Sequence, residues 1–200
     1  MNKQKVFLIV AGLLFLSAAL ALFIWNESED RAAGDAAAKV VSQLRPRQTA
    51  GSRENDTPTL DPDRPMPAEN IDGYDYIGTL TIPSLALELP VIGEWSYPAL
   101  KIAPCRFSGS VYRDDLVLAA HNYDRHFGTL KRLHAGDAVA FTDMDGTVFS
   151  YEVIQTQEIS PQDADAMLDG DWDLTLFTCT PGGAFRFAVR CKKTDASNGD

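Results

Sequence analysis

Cysteine is scarce. The 200 residues hold three, Cys105, Cys179 and Cys191. Three thiols do not make a disulfide framework, and one pairing, such as Cys105 with Cys191 in an oxidising compartment, would still leave a thiol free. There is no C-x-x-C pair, and His121 and His126 lie five apart, off any single helical face, so no metal site is expected. The acidic residues are too scattered to name a calcium site. A basic surplus is lacking too: 28 acidic side chains face 18 lysines and arginines, a formal charge of −10. That balance excludes a nucleic-acid partner, because such a binder needs a basic face. No internal repeat is present.

Long apolar runs are confined to one place. Lys3 and Lys5 precede Val6–Trp25, VFLIVAGLLFLSAALALFIW, which carries no charge. As a helix it spans roughly 30 Å, the thickness of a bilayer core. The basic stub, residues 1–5, is expected on the cytoplasmic side, with everything after the 6–25 anchor outside. A cleaved signal peptide is the competing reading, because Ala19-Leu-Ala21 has an A-x-A form. The apolar run outlasts an ordinary signal core, which favours the anchor. Both readings export the remainder.

Residues 26–72 have few large apolar side chains and are broken by Pro58, Pro62, Pro65 and Pro67. They read as a flexible linker or stalk, with a short helix over Ala32–Leu44. From residue 73 to 194 the pattern changes to short β-rich runs between turn residues. Strands are predicted at Ile77–Ile82, Leu85–Val91, Ile102–Phe107, Leu116–Ala120, Ala138–Thr142, Thr147–Thr156, Leu174–Cys179 and Ala184–Cys191. Asp145-Gly146 marks a hairpin, and Ser160–Leu168 a short helix capped by Ser160. The fold class is therefore all-β, a closed barrel or sandwich of about eight strands with short helices. A polar tail, residues 195–200, follows.

The last two strands suggest chemistry. If Pro181–Ala184 is a four-residue loop, Cys179 opposes Arg186, with side chains on one face. A guanidinium beside the thiol favours the thiolate and can serve an oxyanion. Arg186 and Arg190 share a face and need water or a partner, so that face is expected to be the outer, groove-lining one. Cys191 then points into the core, and Cys105 reads as a structural thiol. His121 closes the buried run Leu116–Ala120 and is a candidate general acid/base. His126 and His134 sit in polar loop sequence.

These residues resemble the sortases of Gram-positive bacteria. Thr175-Leu-Phe-Thr-Cys179 matches the family's T-L-x-T-C signature, Arg186 its essential arginine, and "LAAHNY" its strand-end histidine motif. The similarity extends through "GTLTIPSLALELPV", "HFGTLKRLHAGDAV" and "GTVFSYEV". The resemblance implies a sortase-type barrel that binds a C-terminal sorting signal and cleaves it after threonine. It implies a thioester on Cys179 and transfer to an amine, that of a peptidoglycan precursor or a pilin lysine. Cys179 is then the nucleophile, His121 the proton donor and acceptor, and Arg186 the oxyanion donor, with Asn122 and Thr178 binding substrate or supporting the site. No cofactor is implied. Pilus-building members usually add a second membrane helix and a lid with an Asp-Pro-aromatic motif. Here the chain ends in "KKTDASNGD" and Asp61-Pro62 precedes Asp63, so surface-protein anchoring is expected. A purely hydrolytic thiol protease and a non-catalytic surface β-domain are the alternatives.

Overall fold

The computed structural model describes residues 3–51, 61–163 and 165–194. It divides into two compact units, with the boundary after Ala32. The first is the N-terminal part of helix α1 (Lys3–Gly51). Its most apolar 18-residue window has a mean hydropathy of 2.8 and buries nothing, so it is long and apolar enough to cross a membrane. Phe15, Leu22 and Trp25 are all exposed on it. An α-helix apolar all round satisfies its own backbone and needs no protein partner in lipid.

The second unit begins at Ala33. Over residues 33–48 the structure differs from the stalk reading given to 26–72. Helix α1 continues to Gly51, and Ala33, Ala37, Val40, Val41, Leu44 and Gln48 are buried along it. That spacing is one helical face. Gln48 reaches from it to the Thr142 carbonyl at 2.9 Å, and Arg45 pairs with Glu88 at 2.7 Å. The stripe is built largely from alanine and valine, which gave little hydrophobic contrast in the sequence. Residues 52–60, with Pro58, and the tail 195–200 lie outside the described residues.

The strands are β1 (Glu69–Ile71), β2 (Tyr74–Ile82), β3 (Leu87–Ile92), β4 (Cys105–Ser108), β5 (Leu116–Ala119), β6 (Ala138–Asp143), β7 (Val148–Ile159), β8 (Leu174–Cys179) and β9 (Arg186–Lys193). Their order is β1-β2-β3-β4-β5-β8-β9-β7-β6, and β6 pairs again with β2. Eight strands, β2 to β9, thus close into a barrel, and β1 adds a short flap to the start of β2. Closure removes the exposed edges an open sheet would leave. Among the described residues only β3–β4 and β5–β8 pair in parallel. Leu80, Val91, Leu118, Phe141, Tyr151, Leu176, Val189 and Cys191 fill the interior.

β2 begins three residues earlier than predicted, at Tyr74, and β7 one residue later, while three other strand starts move back by two or three residues for local reasons. Pro83–Leu85 form a 3-10 turn that ends on Ala86 at φ 52°, so β3 begins at Leu87. Helix α2 (Tyr97–Leu100) is capped by Ser96, and Ala99 accepts from Ile102 and Ala103, which delays β4 to Cys105. The Pro181–Gly183 turn delays β9 to Arg186. The expected short helix after Ser160 is a 3-10 turn, Asp165–Met167. The Asp145-Gly146 hairpin is present, with Gly146 at φ 81°.

Candidate active site

Three neighbouring strands, β5, β8 and β9, carry the candidate residues. Across β8 and β9 the register runs from Leu174↔Cys191 to Cys179↔Arg186. Directly opposed residues share a face, so the guanidinium-bearing position lies beside the thiol, as the loop length predicts. Thr180 and Phe185 close the turn, Thr180 N donating to Phe185 O at 2.9 Å. Between them Gly182 and Gly183 take φ of 79° and 73°, where a side chain would strain the backbone.

On the other flank β5 runs parallel to β8, from Leu116↔Leu174 to Ala119↔Phe177. Continued past Ala119, that register brings His121 level with Cys179. Two bonds hold the alignment where β5 ends: Ala120 N donates to Phe177 O at 3.2 Å, and Thr178 Oγ1 donates to Ala120 O at 2.9 Å. The chain then turns back, with Phe127 N donating to His121 O at 3.3 Å. Gly128 makes the turn tight enough, since a Cβ there would meet the Tyr123 carbonyl oxygen at 2.8 Å. His121, just past the end of β5, thus comes to the same barrel rim as Cys179 on β8 and Arg186 on β9.

Exposure agrees with access from solvent. Cys179 is half-buried and lines a cavity that Asn122 and Thr178 also line. Arg186 is half-buried, and its Nη1 donates to the carbonyls of Gly183 and Phe185 at 3.2 Å each. The ring of His121 lies 5.1 Å from that of Tyr123. Asn122 is half-buried, while Thr178 is buried and tied to β5. His126 is fully buried, unlike the polar-loop residue its sequence context suggests.

The other two thiols are sealed. Cys105 and Cys191 are free and belong to separate core clusters, so they do not pair. Burial pushes each thiol up to about 12.

Arg190 departs from expectation. It lies on the outer face, but it is 1% exposed rather than groove-lining and wet. The loop between β7 and β8 covers it. Its Nη1 donates to Met167 O and to Thr175 Oγ1, each at 2.9 Å, and its Nη2 donates to Ala166 O. With its amide oxygen turned inward, Gln157 accepts from Nε at 3.0 Å. Burial lowers the pKa of the guanidinium from its ordinary value. The loop so held lays Met167 and Ala166 against Phe177, two residues before the thiol on the same face.

Sequence reasoning missed the aromatic row that continues from Phe177. Phe107 stands edge-on to it at 5.3 Å, Trp95 lies 6.0 Å from Phe107, and Tyr97 5.7 Å from Trp95. Met167 and Phe107 thus both stand against Phe177, on the face of β8 that leads to Cys179. "GEWSYPAL" carried the signal, two exposed aromatics in one turn.

The segment Asp61-Pro62-Asp63 is held elsewhere. Arg64 pairs with Asp145, and its guanidinium stands 5.5 Å over the Tyr112 ring. Tyr112 precedes β5 and Asp145 precedes β7, whereas Cys179 is level with their far ends. Asp61-Pro62 is thus bound at the barrel end opposite the thiol.

A family model described as the sortase domain matches residues 80–194. The chain is similar to Sortase A of Bacillus anthracis, 28% identical over 192 residues, covering 90% of this chain and 89% of that one. Its fold is similar to sortase C1 of Streptococcus suis, with 26% identity, a TM-score of 0.52 and coverage of 62% and 75% of the two chains. Sortase C1 of Streptococcus agalactiae gives 25% identity, a TM-score of 0.56 and coverage of 64% and 72%.

Proposed function

Because the chain belongs to the sortase family, whose members are cysteine transpeptidases, we propose that it anchors exported proteins to a cell-wall precursor, with Cys179 as the nucleophile. The observation that carries this reading is the alignment of Cys179 on β8 with Arg186 on β9, and of the end of β5, two residues before His121, with Phe177, two residues before Cys179. An extended sorting signal lies in the groove floored by Phe177, between the Met167 loop and the Trp95–Phe107 row. Cys179 attacks the carbonyl after threonine. Arg186 donates to the oxyanion, and its planar fork also orients the carbonyl. His121 protonates the departing amine and leaves a thioester on Cys179, which conserves the acyl group's reactivity for an incoming amine. His121 then takes a proton from that amine. Asn122 shapes the mouth beside the sulfur, and Thr178 positions His121 through Ala120.

The apolar helix anchors the enzyme as a single pass, with Lys3 and Lys5 cytoplasmic and the barrel outside. Linking pilin subunits through a lysine amine is the second reading, favoured by the likeness to the sortase C1 structures. The retention of Asp61-Pro62 at the far barrel end weighs against a lid over the thiol.

The test is to incubate the full chain with a library of pentapeptide sorting signals and locate the adduct by mass spectrometry. An acyl group on Cys179, released faster by an added amine, is expected. Adducts absent from Cys179, or release indifferent to amines, would sink the transpeptidase reading; indifference alone would leave a hydrolytic thiol protease. Arg186→Lys should lower turnover at least a hundredfold, because a point charge does not reproduce the donor fork.

A further inference from the structure

Helix α1 holds two glycines in its interior, Gly12 and Gly34, where glycine weakens a helix relative to alanine. A Cβ on Gly12 would meet nothing within 4 Å. Gly34 differs. A Cβ there would stand 3.1 Å from Arg125 Cβ and 3.2 Å from its Cγ, and would overlap its Cδ. These atoms are the stem of the arginine and not its mobile tip, so residue 125 has to move to make room. Arg125 lies in the loop that runs on from His121. One turn along the helix, Ala37 is buried in the same core cluster as Phe127 and Leu130. The small face of α1 thus backs the loop at residues 125–127. Within the loop, Phe127 N donates to His121 O at 3.3 Å. His126 N and Gly128 N both donate to Tyr123 O, at 3.0 and 2.8 Å. The Tyr123 ring stands 5.1 Å from that of His121 and 5.7 Å from that of His126. A push on Arg125 therefore reaches His121 along a short, hydrogen-bonded path. The helix is also fixed at its other end, about 21 Å along its axis, where Gln48 donates to the Thr142 carbonyl.

We propose that residues 33–48 of α1 form a strut that positions His121, with Gly34 and Arg125 as the positioning pair. The proposal rests on the reading of His121 as proton donor and acceptor, and adds what holds the ring in place. Thr178 fixes the chain just before His121, through Ala120. The strut fixes the loop just after it. Glycine at position 34 sets the spacing, because the arginine stem lies where any other residue would carry its Cβ. Both residues act through His121 and not on the substrate. The imidazole has to serve a departing and an incoming amine at nearly the same point. A displacement of about 1 Å is enough to lower the rate by as much as a hundredfold. A Cβ at position 34 forces a shift on that scale at Arg125, part of which the loop absorbs before it reaches the ring.

The experiment uses the full chain in detergent micelles. The chain has three histidines, so a ring proton–carbon spectrum separates His121, His126 and His134. Gly34→Ala should shift the His121 signal and leave that of His134 in place. Turnover is followed with a pentapeptide that acylates Cys179 and with glycinamide as acceptor. In Gly34→Ala, kcat should fall roughly tenfold while the peptide's KM changes little. Arg125→Ala, which leaves the helix untouched, should lower kcat about threefold. Adding Gly34→Ala to it should cost little more, because the stem atoms beyond Cβ are gone. Asp35→Ala, exposed on the same turn, is the helix control and should change neither signal nor rate. An unmoved His121 signal, an unchanged kcat in Gly34→Ala, or additive losses in the double variant would overturn the proposal. The reading of His121 fails separately: His121→Ala that kept amine-sensitive turnover would sink it, whereas the ring spectrum of Gly34→Ala needs no turnover at all.

Discussion

Replacing Arg190 by methionine should loosen the wall of the peptide groove without touching the chemistry. The side chain is buried, and it clamps the β7–β8 loop through the carbonyls of Ala166 and Met167 while bracing on Thr175 and Gln157. Only the two carbonyl bonds cross from barrel to loop. Each is charge-assisted and buried or half-buried, so each contributes about 1.5 kcal/mol, and together they favour the docked loop by about 3 kcal/mol. Methionine fills much the same volume, and the freed carbonyls can turn to water once the loop lifts. Loop docking should therefore weaken by roughly a hundredfold. Limited proteolysis reads it directly: cleavage within residues 161–172 should become the fastest event in Arg190→Met and stay slow in the parent. KM for a sorting peptide should rise tenfold or more, while iodoacetamide labelling of Cys179 should change little. Arg190→Lys should fall between, since one ammonium cannot reach both carbonyls and Thr175 together. Unchanged proteolysis and KM in Arg190→Met would refute the clamp.

Three further outcomes follow from other parts of the molecule. Burial holds the Cys105 and Cys191 thiols up to about 12, so at pH 8 the thiolate is about one part in ten thousand of each. Iodoacetamide should give one adduct in the folded protein, none in Cys179→Ala, and three on full unfolding of the parent. Thr178→Val removes the bond that ties β8 to Ala120 beside His121; stability should fall by about 1 kcal/mol, and kcat by roughly tenfold, with KM little changed. Asp143 is buried, and the cost of desolvation raises its pKa despite hydrogen bonds from Tyr112, Asp145 and Thr147. A raised folded pKa means that its contribution to stability is complete below the ordinary carboxyl value of 3.8 and is lost as pH climbs through the folded value. Asp143→Asn should flatten that part of the Tm–pH curve; an unaltered slope would contradict the burial argument.

Much of the site was legible because it depends on local rules. β8 spans Leu174–Cys179 as predicted, and the count of loop residues correctly set Cys179 against Arg186. His121 at the end of an apolar run was equally readable, since a buried strand commonly announces its rim with a polar residue. What escaped depends on contacts between distant segments. Arg190 looked like a solvated arginine because the carbonyls that bury it come from the β7–β8 loop, more than twenty residues away in the sequence. Residues 33–48 looked like a stalk because an alanine stripe has little contrast until a barrel wall lies against it. Trp95 and Phe107 become neighbours through the parallel step from β3 to β4 at Ile92 and Cys105.

The ladder between β8 and β9 acts as a ruler for the thiol. Its alignment is chosen at the bottom of the barrel, where Leu174, Leu176, Val189 and Cys191 lock into the oily interior, and is read out at the top as the placement of one guanidinium. An extra residue inserted into the glycine turn would merely lengthen a surface loop. The same residue inserted between Arg186 and Phe187 would carry Arg186 to the opposite side of the sheet while leaving every buried side chain below it in place. Such a protein would remain fully folded and lose the arginine proposed as its oxyanion donor, so the hydrophobic floor of the barrel sets what stands beside the sulfur at a distance from it.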